Sequence, residues 1–147
     1  MDLKTFFTNF VLRTISIIFL HEFSHLFILL LLGGQGFISI NAFGLFTEAT
    51  TAPSFPYGME IVAFGGGILA SAFCLLLWYF EESKSDKFIW RVNGWVQFSY
   101  GLVEGLMYNN EFLWEYNQIF LSIAVLIPMI YCFVTTKKNI LEEKMKK

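Results

Sequence analysis

The chain has 147 residues, of which 56% are hydrophobic, 19% aromatic and only 15% charged, and its mean hydropathy is positive. That composition excludes a disordered chain and points to an integral membrane protein of one domain. The net charge of −2 comes with no basic stripe, which argues against a nucleic-acid partner.

Four stretches have the roughly 20 mostly apolar residues that a bilayer-spanning helix needs. The first runs from Phe6 to Leu32 and stops at Gly33-Gly34, a natural helix end. No small-x-small cleavage site follows it, and His21, Glu22 and His25 interrupt its apolar run, so it is expected to stay as an anchor rather than leave as a signal peptide. The next stretch, Phe37-Ile38-Ser39-Ile40-Asn41-Ala42-Phe43, mixes β-branched and aromatic residues in partial alternation, with Gly34, Gly36 and Gly44 around it. It reads as a short strand or hairpin, or equally as a cap over the helix ends.

After Pro53 and Pro56 a second helix is predicted from Met59 to Phe80. A third, from Phe88 to Tyr108, is the least apolar and holds Arg91, Asn93, Gln97, Ser99 and Glu104. The fourth, from Tyr116 to Val134, carries Pro128 as an expected kink. The fold class is therefore an all-α integral membrane protein with four transmembrane helices and a short β-like loop after the first. Residues 1–136 form a single transmembrane domain and 137–147 a charged, amphipathic tail. Cys74 and Cys132 stand alone in separate apolar runs and read as small core residues.

Cations are sorted along the chain. Lys4, Arg13, Lys84, Lys87, Arg91 and five tail lysines flank alternate helix ends, whereas 33–58 and 109–115 contain no Lys or Arg. The positive-inside rule then places both termini and the Glu81–Lys87 loop in the cytoplasm of a multi-pass cell-membrane protein.

The chemistry concentrates at His21-Glu22-Phe23-Ser24-His25. Residues i and i+4 lie one turn apart on one helix face, so His21 and His25 can direct two imidazole nitrogens at one metal ion. Glu22 stands beside that ion, where the general base of an HExxH metallopeptidase stands. Ionisable groups at this depth cost a few kcal/mol each on the most lenient insertion scale, roughly, and are expected to line a wet site enclosed by protein. A catalytic zinc takes three protein ligands and keeps one position for water. No other histidine exists, which leaves Glu104, inside the third helix, and Glu60, at the mouth of the second. Depth favours Glu104; Glu60 reads as a helix N-terminal acid favoured by the dipole. Glu104 bonded to Tyr100 or Tyr108, one turn away, is the alternative.

HEFSH in an apolar helix, then Gly33-Gly34, a β-like loop and a glycine-rich second helix together resemble the site-2 protease family of intramembrane zinc metalloproteases. The resemblance covers residues 15 to 108. Val103-Glu104-Gly105 is similar to the Leu-Asp-Gly type of motif that gives that family its third zinc ligand, and Gly65-Gly66-Gly67-Ile68-Leu69-Ala70-Ser71 occupies the place of its Gly-Pro-x-x-Asn segment. Proline and asparagine are missing here, Glu replaces Asp, and the charges set the loop after HEFSH outside, where the family usually has it toward the cytoplasm. The resemblance implies Zn2+ held by His21, His25 and Glu104, with Glu22 as general base in hydrolysing peptide bonds of membrane-embedded substrates within the bilayer. It implies a polar cavity between the first and third helices, and a strand at Phe37–Phe43 that pairs with an unwound substrate segment. A non-catalytic metal- or substrate-binding protein of the same fold is the alternative. A small transporter, or an oligomeric protein packing through Gly65-Gly66-Gly67, fits less well. Oligomeric state is not readable from the chain.

Overall fold

The computed structural model describes residues 3–41 and 44–145. The elements follow in the order α1 (Leu3–Leu31), β1 (Gln35–Asn41), β2 (Gly44–Thr51), α2 (Gly58–Phe80), α3 (Lys84–Met107), α4 (Glu111–Glu115) and α5 (Asn117–Met145). Three of the helices are long and apolar enough to cross a membrane, over Lys4–Leu31, Gly58–Phe80 and Asn117–Thr136.

Of the four spans expected, the first, second and fourth are of this kind. Helix α3 has 24 residues, enough to cross, but its polar residues keep it out of the apolar set. The physical reason is its position, because α3 packs against α1, α2, α4 and α5. Asn93 and Gln97 are buried there rather than turned to the surroundings. It also starts earlier than expected: the Ser83 hydroxyl accepts the Asp86 N–H at 3.4 Å, a side-chain cap on the first turn. Short helix α4, capped by Asn110 on the Leu113 N–H at 3.0 Å, was not anticipated. Helix α5 continues through Pro128 to Met145, so the charged tail, as far as it is described, is the end of α5. Lys146 and Lys147 lie outside the described residues, as do Ala42 and Phe43 of the expected strand.

Cross-helix contacts fix the directions. Arg13, in the first half of α1, meets Glu81 just beyond α2 at 3.5 Å and Asp86 at the start of α3 at 3.1 Å, and lies 4.7 Å from the Trp90 ring centroid. Backbone N–H groups of Ser83 and Glu82, with Arg13, hold the Glu81 carboxyl below its ordinary range; the Ser83 bond is the largest of these. Arg91 donates to Thr136 Oγ1 at 2.5 Å and the Cys132 carbonyl at 3.4 Å, and the Phe88 and Phe133 rings meet at 5.1 Å. The order is therefore up, down, up, down for α1, α2, α3 and α5. Among the described residues, Lys4, Arg13, Lys84, Lys87 and Arg91 fall toward one end; Glu48, Glu60, Glu111 and Glu115 fall toward the other.

Helix α1 ends in a Schellman motif. Gly33 is left-handed (φ +79), its N–H reaches Leu30 O at 3.1 Å, and the Gly34 N–H reaches Leu29 O at 2.9 Å. The chain then folds back as an antiparallel hairpin with Ile38 opposite Thr47. A Cβ at Gly34 or Gly36 would strike Leu29, which is fully buried beneath the hairpin. The expected strand thus acquires a partner, β2, and Thr47 ties that partner to α1 by donating to the Glu22 carbonyl at 2.7 Å.

Gly65, Gly66 and Gly67 are all used inside the chain. Gly65 receives Ile28, Gly66 receives the His25 ring, and Gly67 lies backbone to backbone against Gly101 of α3. The third contact sets how closely α2 and α3 approach. Gly67→Leu is expected to lower stability by about 1–3 kcal/mol through overpacking, read as a reduced melting temperature in detergent, whereas Ile68→Ala on the adjoining exposed face should change it little.

Candidate metal centre

Helix α1 brings His21, Ser24 and His25 to its buried side and leaves Phe23 and Phe27 exposed. Ser24 satisfies itself by donating to Leu20 O at 2.7 Å. The two imidazoles meet edge to face, 4.6 Å between centroids. His21 Nδ1 is 2.6 Å from Gln97 Oε1, and His25 Nδ1 is 2.7 Å from the Val62 carbonyl. Both partners are acceptors, so each Nδ1 carries the proton and each Nε2 presents a lone pair.

Those two lone pairs point at each other and at one carboxylate. His21 Nε2 and His25 Nε2 are 2.9 Å apart, and Glu104 Oε2 is 3.1 Å from the first and 3.2 Å from the second. Three electron-pair donors this close repel unless a cation stands among them. Either a proton on one Nε2 or a metal ion touching all three would supply it. Donor atoms about 2.0–2.1 Å from a tetrahedral zinc stand roughly 3.3 Å from one another, so the observed triangle fits such an ion after a small expansion. Glu22, half-buried, offers an oxygen within 4.8 Å of both histidine donors, and the His21-Glu22-His25 group could hold a metal ion.

The two acids that were candidates for the third position part company. Glu104 turns to the histidines. Glu60 accepts from the Asn109 side chain instead. Tyr100 does not take up Glu104; its ring stands edge-on to His21, 5.3 Å between centroids.

Beside the triangle lies a cavity of about 240 Å³, walled by Glu22, His25, Glu104, Thr47, Tyr108 and Trp114 among others. A wider hollow of about 840 Å³ adjoins it, and Tyr108 and Trp114 belong to both walls. Water can therefore approach from the α4 end. The strand on the inner cavity is β2, through Phe46, Thr47 and Ala49, not β1.

Gln97, the Val62 carbonyl and Gly66 are site residues that sequence reasoning did not assign. Gln97 had a signal: Asn93, Gln97, Tyr100 and Glu104 recur at helical spacing as one polar stripe. Val62 had none, because a main-chain carbonyl is the same for every residue. Its exposure to His25 depends on Gly66, one turn on, where a Cβ would strike the ring.

Comparison with protein-family models, curated proteins and solved structures finds no match to this chain.

Gln97→Leu removes the acceptor that fixes the His21 ring and is expected to weaken divalent-metal binding about 10- to 100-fold with the fold retained. Equilibrium dialysis of the detergent-purified protein measures it. Unchanged affinity would mean that Gln97 does not orient the ligand.

Proposed function

We propose that the chain is an intramembrane zinc metalloprotease that hydrolyses peptide bonds of membrane-embedded protein or peptide substrates. The observation that carries this reading is the convergence of His21 Nε2, His25 Nε2 and Glu104 Oε2, with Glu22 beside them on a cavity wall. Two imidazoles and one carboxylate, with a side left open, is a donor set of catalytic rather than structural zinc. The resemblance of HEFSH, Val103-Glu104-Gly105 and the glycine-rich second helix to the site-2 proteases supports the same class.

His21, His25 and Glu104 would hold the ion, with Gln97 and the Val62 carbonyl orienting the rings. Bound zinc supplies Lewis acidity, lowering the pKa of a water and polarising a carbonyl. Glu22 accepts the proton that the attacking water loses, then delivers it to the departing amine nitrogen. The protein around the site excludes bulk water while the α4-side hollow admits the one molecule consumed. Strand β2 pairs with β1 along one edge and lines the cavity through Phe46, Thr47 and Ala49, and an unwound substrate segment would add along its other edge as a further strand.

In this reading α3 is the fourth membrane-crossing helix, its polar stripe turned onto α1 and α2. The end carrying Lys4, Arg13, Lys84, Lys87 and Arg91 faces the cytoplasm by the positive-inside rule. The hairpin, α4 and the cavity mouth face outward.

Metal analysis should find about one zinc per chain, lost in His21→Ala, His25→Ala and Glu104→Ala but kept in Glu60→Ala. Zinc retained by Glu104→Ala and lost by Glu60→Ala would reverse the assignment of the acid. Glu22→Gln should keep zinc and fold but abolish cleavage of a transmembrane reporter peptide, because an amide cannot take the water's proton. Cleavage near the wild-type rate would remove Glu22 from the mechanism. A wild type that binds zinc and cuts nothing would favour the non-catalytic alternative.

Sidedness is tested with Ser54→Cys and Lys147→Cys in a background lacking the native cysteines. An impermeant maleimide should label position 54 on intact cells and position 147 only after lysis; the reverse pattern inverts the topology.

A further inference from the structure

The geometry points to the inner cavity as the pocket for one uncharged, apolar side chain of the substrate, on a residue flanking the bond to be cut, with Ala49 and Met59 setting the size it takes. This assignment rests on the protease reading above and names what that site selects. The cavity, of about 240 Å³, shares Glu22, His25 and Glu104 with the candidate metal centre. Whatever fills it therefore lies against the groups that would act on the peptide bond.

The remaining walls decide the chemistry. Leu29 of α1, Phe46 and Ala49 of β2, and Met59, Val62 and Ala63 of α2 are all apolar. Polar atoms among the other walls are engaged: His25 Nδ1 bonds to the Val62 carbonyl, and Thr47 Oγ1 donates to that of Glu22. Tyr108 and Trp114 also wall the outer hollow. No lysine or arginine lines the cavity. An amide buried there without a partner costs free energy, whereas a hydrocarbon side chain gains by leaving water.

Size is set where the wall is not locked into the core. Leu29, Val62 and Ala63 are buried in helix and hairpin packing. Ala49 is exposed and Met59 half-buried. Ala49 contributes a single methyl group, so bulk added there takes space from the cavity. Met59 contributes an unbranched chain, so shortening it gives space back. One methylene more or less in a hydrophobic pocket discriminates substrates by about 10–200-fold.

The test uses the zinc-loaded full-length chain in detergent. Transmembrane reporter peptides carry Ala, Leu, Phe or Asn at each of the two residues flanking the cleaved bond, varied one at a time. Asn has nearly the shape of Leu but brings an amide. At one of the two positions the wild type should cut Leu above Asn by about 10-fold in kcat/KM. Ala49→Leu should lower Leu and Phe relative to Ala at that position by about 10-fold, and Met59→Ala should raise Phe relative to Leu. Melting temperature and zinc content of both variants should stay at wild type, because neither residue is locked into the core. Affinity of the same peptides for Glu22→Gln, which does not cut, should follow the Leu-over-Asn order, separating recognition from chemistry. If the wild type cuts but both folded, zinc-holding variants keep its side-chain order, the cavity is not this pocket and the protease reading stands. Equal affinity for all the peptides, with a lipid acyl chain retained by the purified protein, would give the cavity to lipid instead. If the wild type neither cuts nor binds any of them, the protease reading fails and the pocket assignment with it.

Discussion

Three lone pairs aimed at one point, in the middle of an apolar helix bundle, form the constraint on which the rest of this structure depends. His21, His25 and Glu104 lie within 2.9–3.2 Å of one another, and lipid would offer them nothing to bond with. The two imidazoles are oriented from behind, and the carboxylate meets them from α3. Gln97 and Val62 hold the outward nitrogens of the rings. Gly66 leaves the space that the His25 ring fills, and the Gly67–Gly101 contact brings α3 close enough for a carboxylate to span the gap. A side chain at Gly66 would displace the His25 ring directly, and one at Gly67 would act on the candidate metal centre through helix spacing, without touching it. The glycines and the acid form one device.

Much of this was legible in the sequence, for reasons that also show why the remainder was not. HEFSH fixes two donors because the helical repeat does so regardless of tertiary context. The choice of Glu104 over Glu60 followed from depth, since rise per residue converts sequence position into height. The hairpin was half visible: the β-rich stretch marked β1, but Gly44–Thr51 alternates through Thr and Glu and carries little apolar signal. What could not be read was anything set by backbone proximity. The Val62 carbonyl, the site role of Gly66 and the seating of Thr47 on Glu22 arise only when two elements meet. Helix α3, expected as the least apolar of four spans, falls outside the three apolar ones because its polar residues lower its mean hydropathy, whichever face they occupy. Its stripe at 93, 97, 100 and 104 is the feature that mattered.

The charges explain how so polar a third helix is kept upright. Arg13 gathers Glu81, Asp86 and Trp90, fastening α1 to the α2–α3 turn, and Arg91 fastens α3 to α5. Both ties lie toward the cationic end, opposite the cavity mouth. The end with the mouth is held instead by the hairpin on α1 and by the Asn109–Glu60 contact. One end is thus fastened by the ion pairs of Arg13 and the hydrogen bonds of Arg91, and the other by hydrogen bonds of Thr47 and Asn109 beside the candidate metal centre. The resemblance to site-2 proteases concerns the triad. The sidedness implied by the cations differs from that family's usual one, and the two statements are independent, because inverting a bundle in the bilayer does not alter its internal contacts.

The size of the inner cavity bears on what can reach the triad. At about 240 Å³ it falls below the range of roughly 300–1,000 Å³ typical of drug-sized ligand pockets, and an α-helix with its side chains is about 10–12 Å across. In the protease reading a helical segment would have to unwind to reach the triad. An extended segment would enter instead in that reading, pairing with the main chain of β2 along the edge that β1 leaves free. Unwinding in the bilayer exposes amides at several kcal/mol each by the usual order of magnitude, a cost that pairing along that edge would offset in this reading. The hairpin's seat on α1, through Thr47 and Leu29, holds this edge at the level of Glu22. Thr47 ties β2 to the turn of α1 that carries Glu22, so in the protease reading a segment pairing with β2 would lie beside this carboxylate.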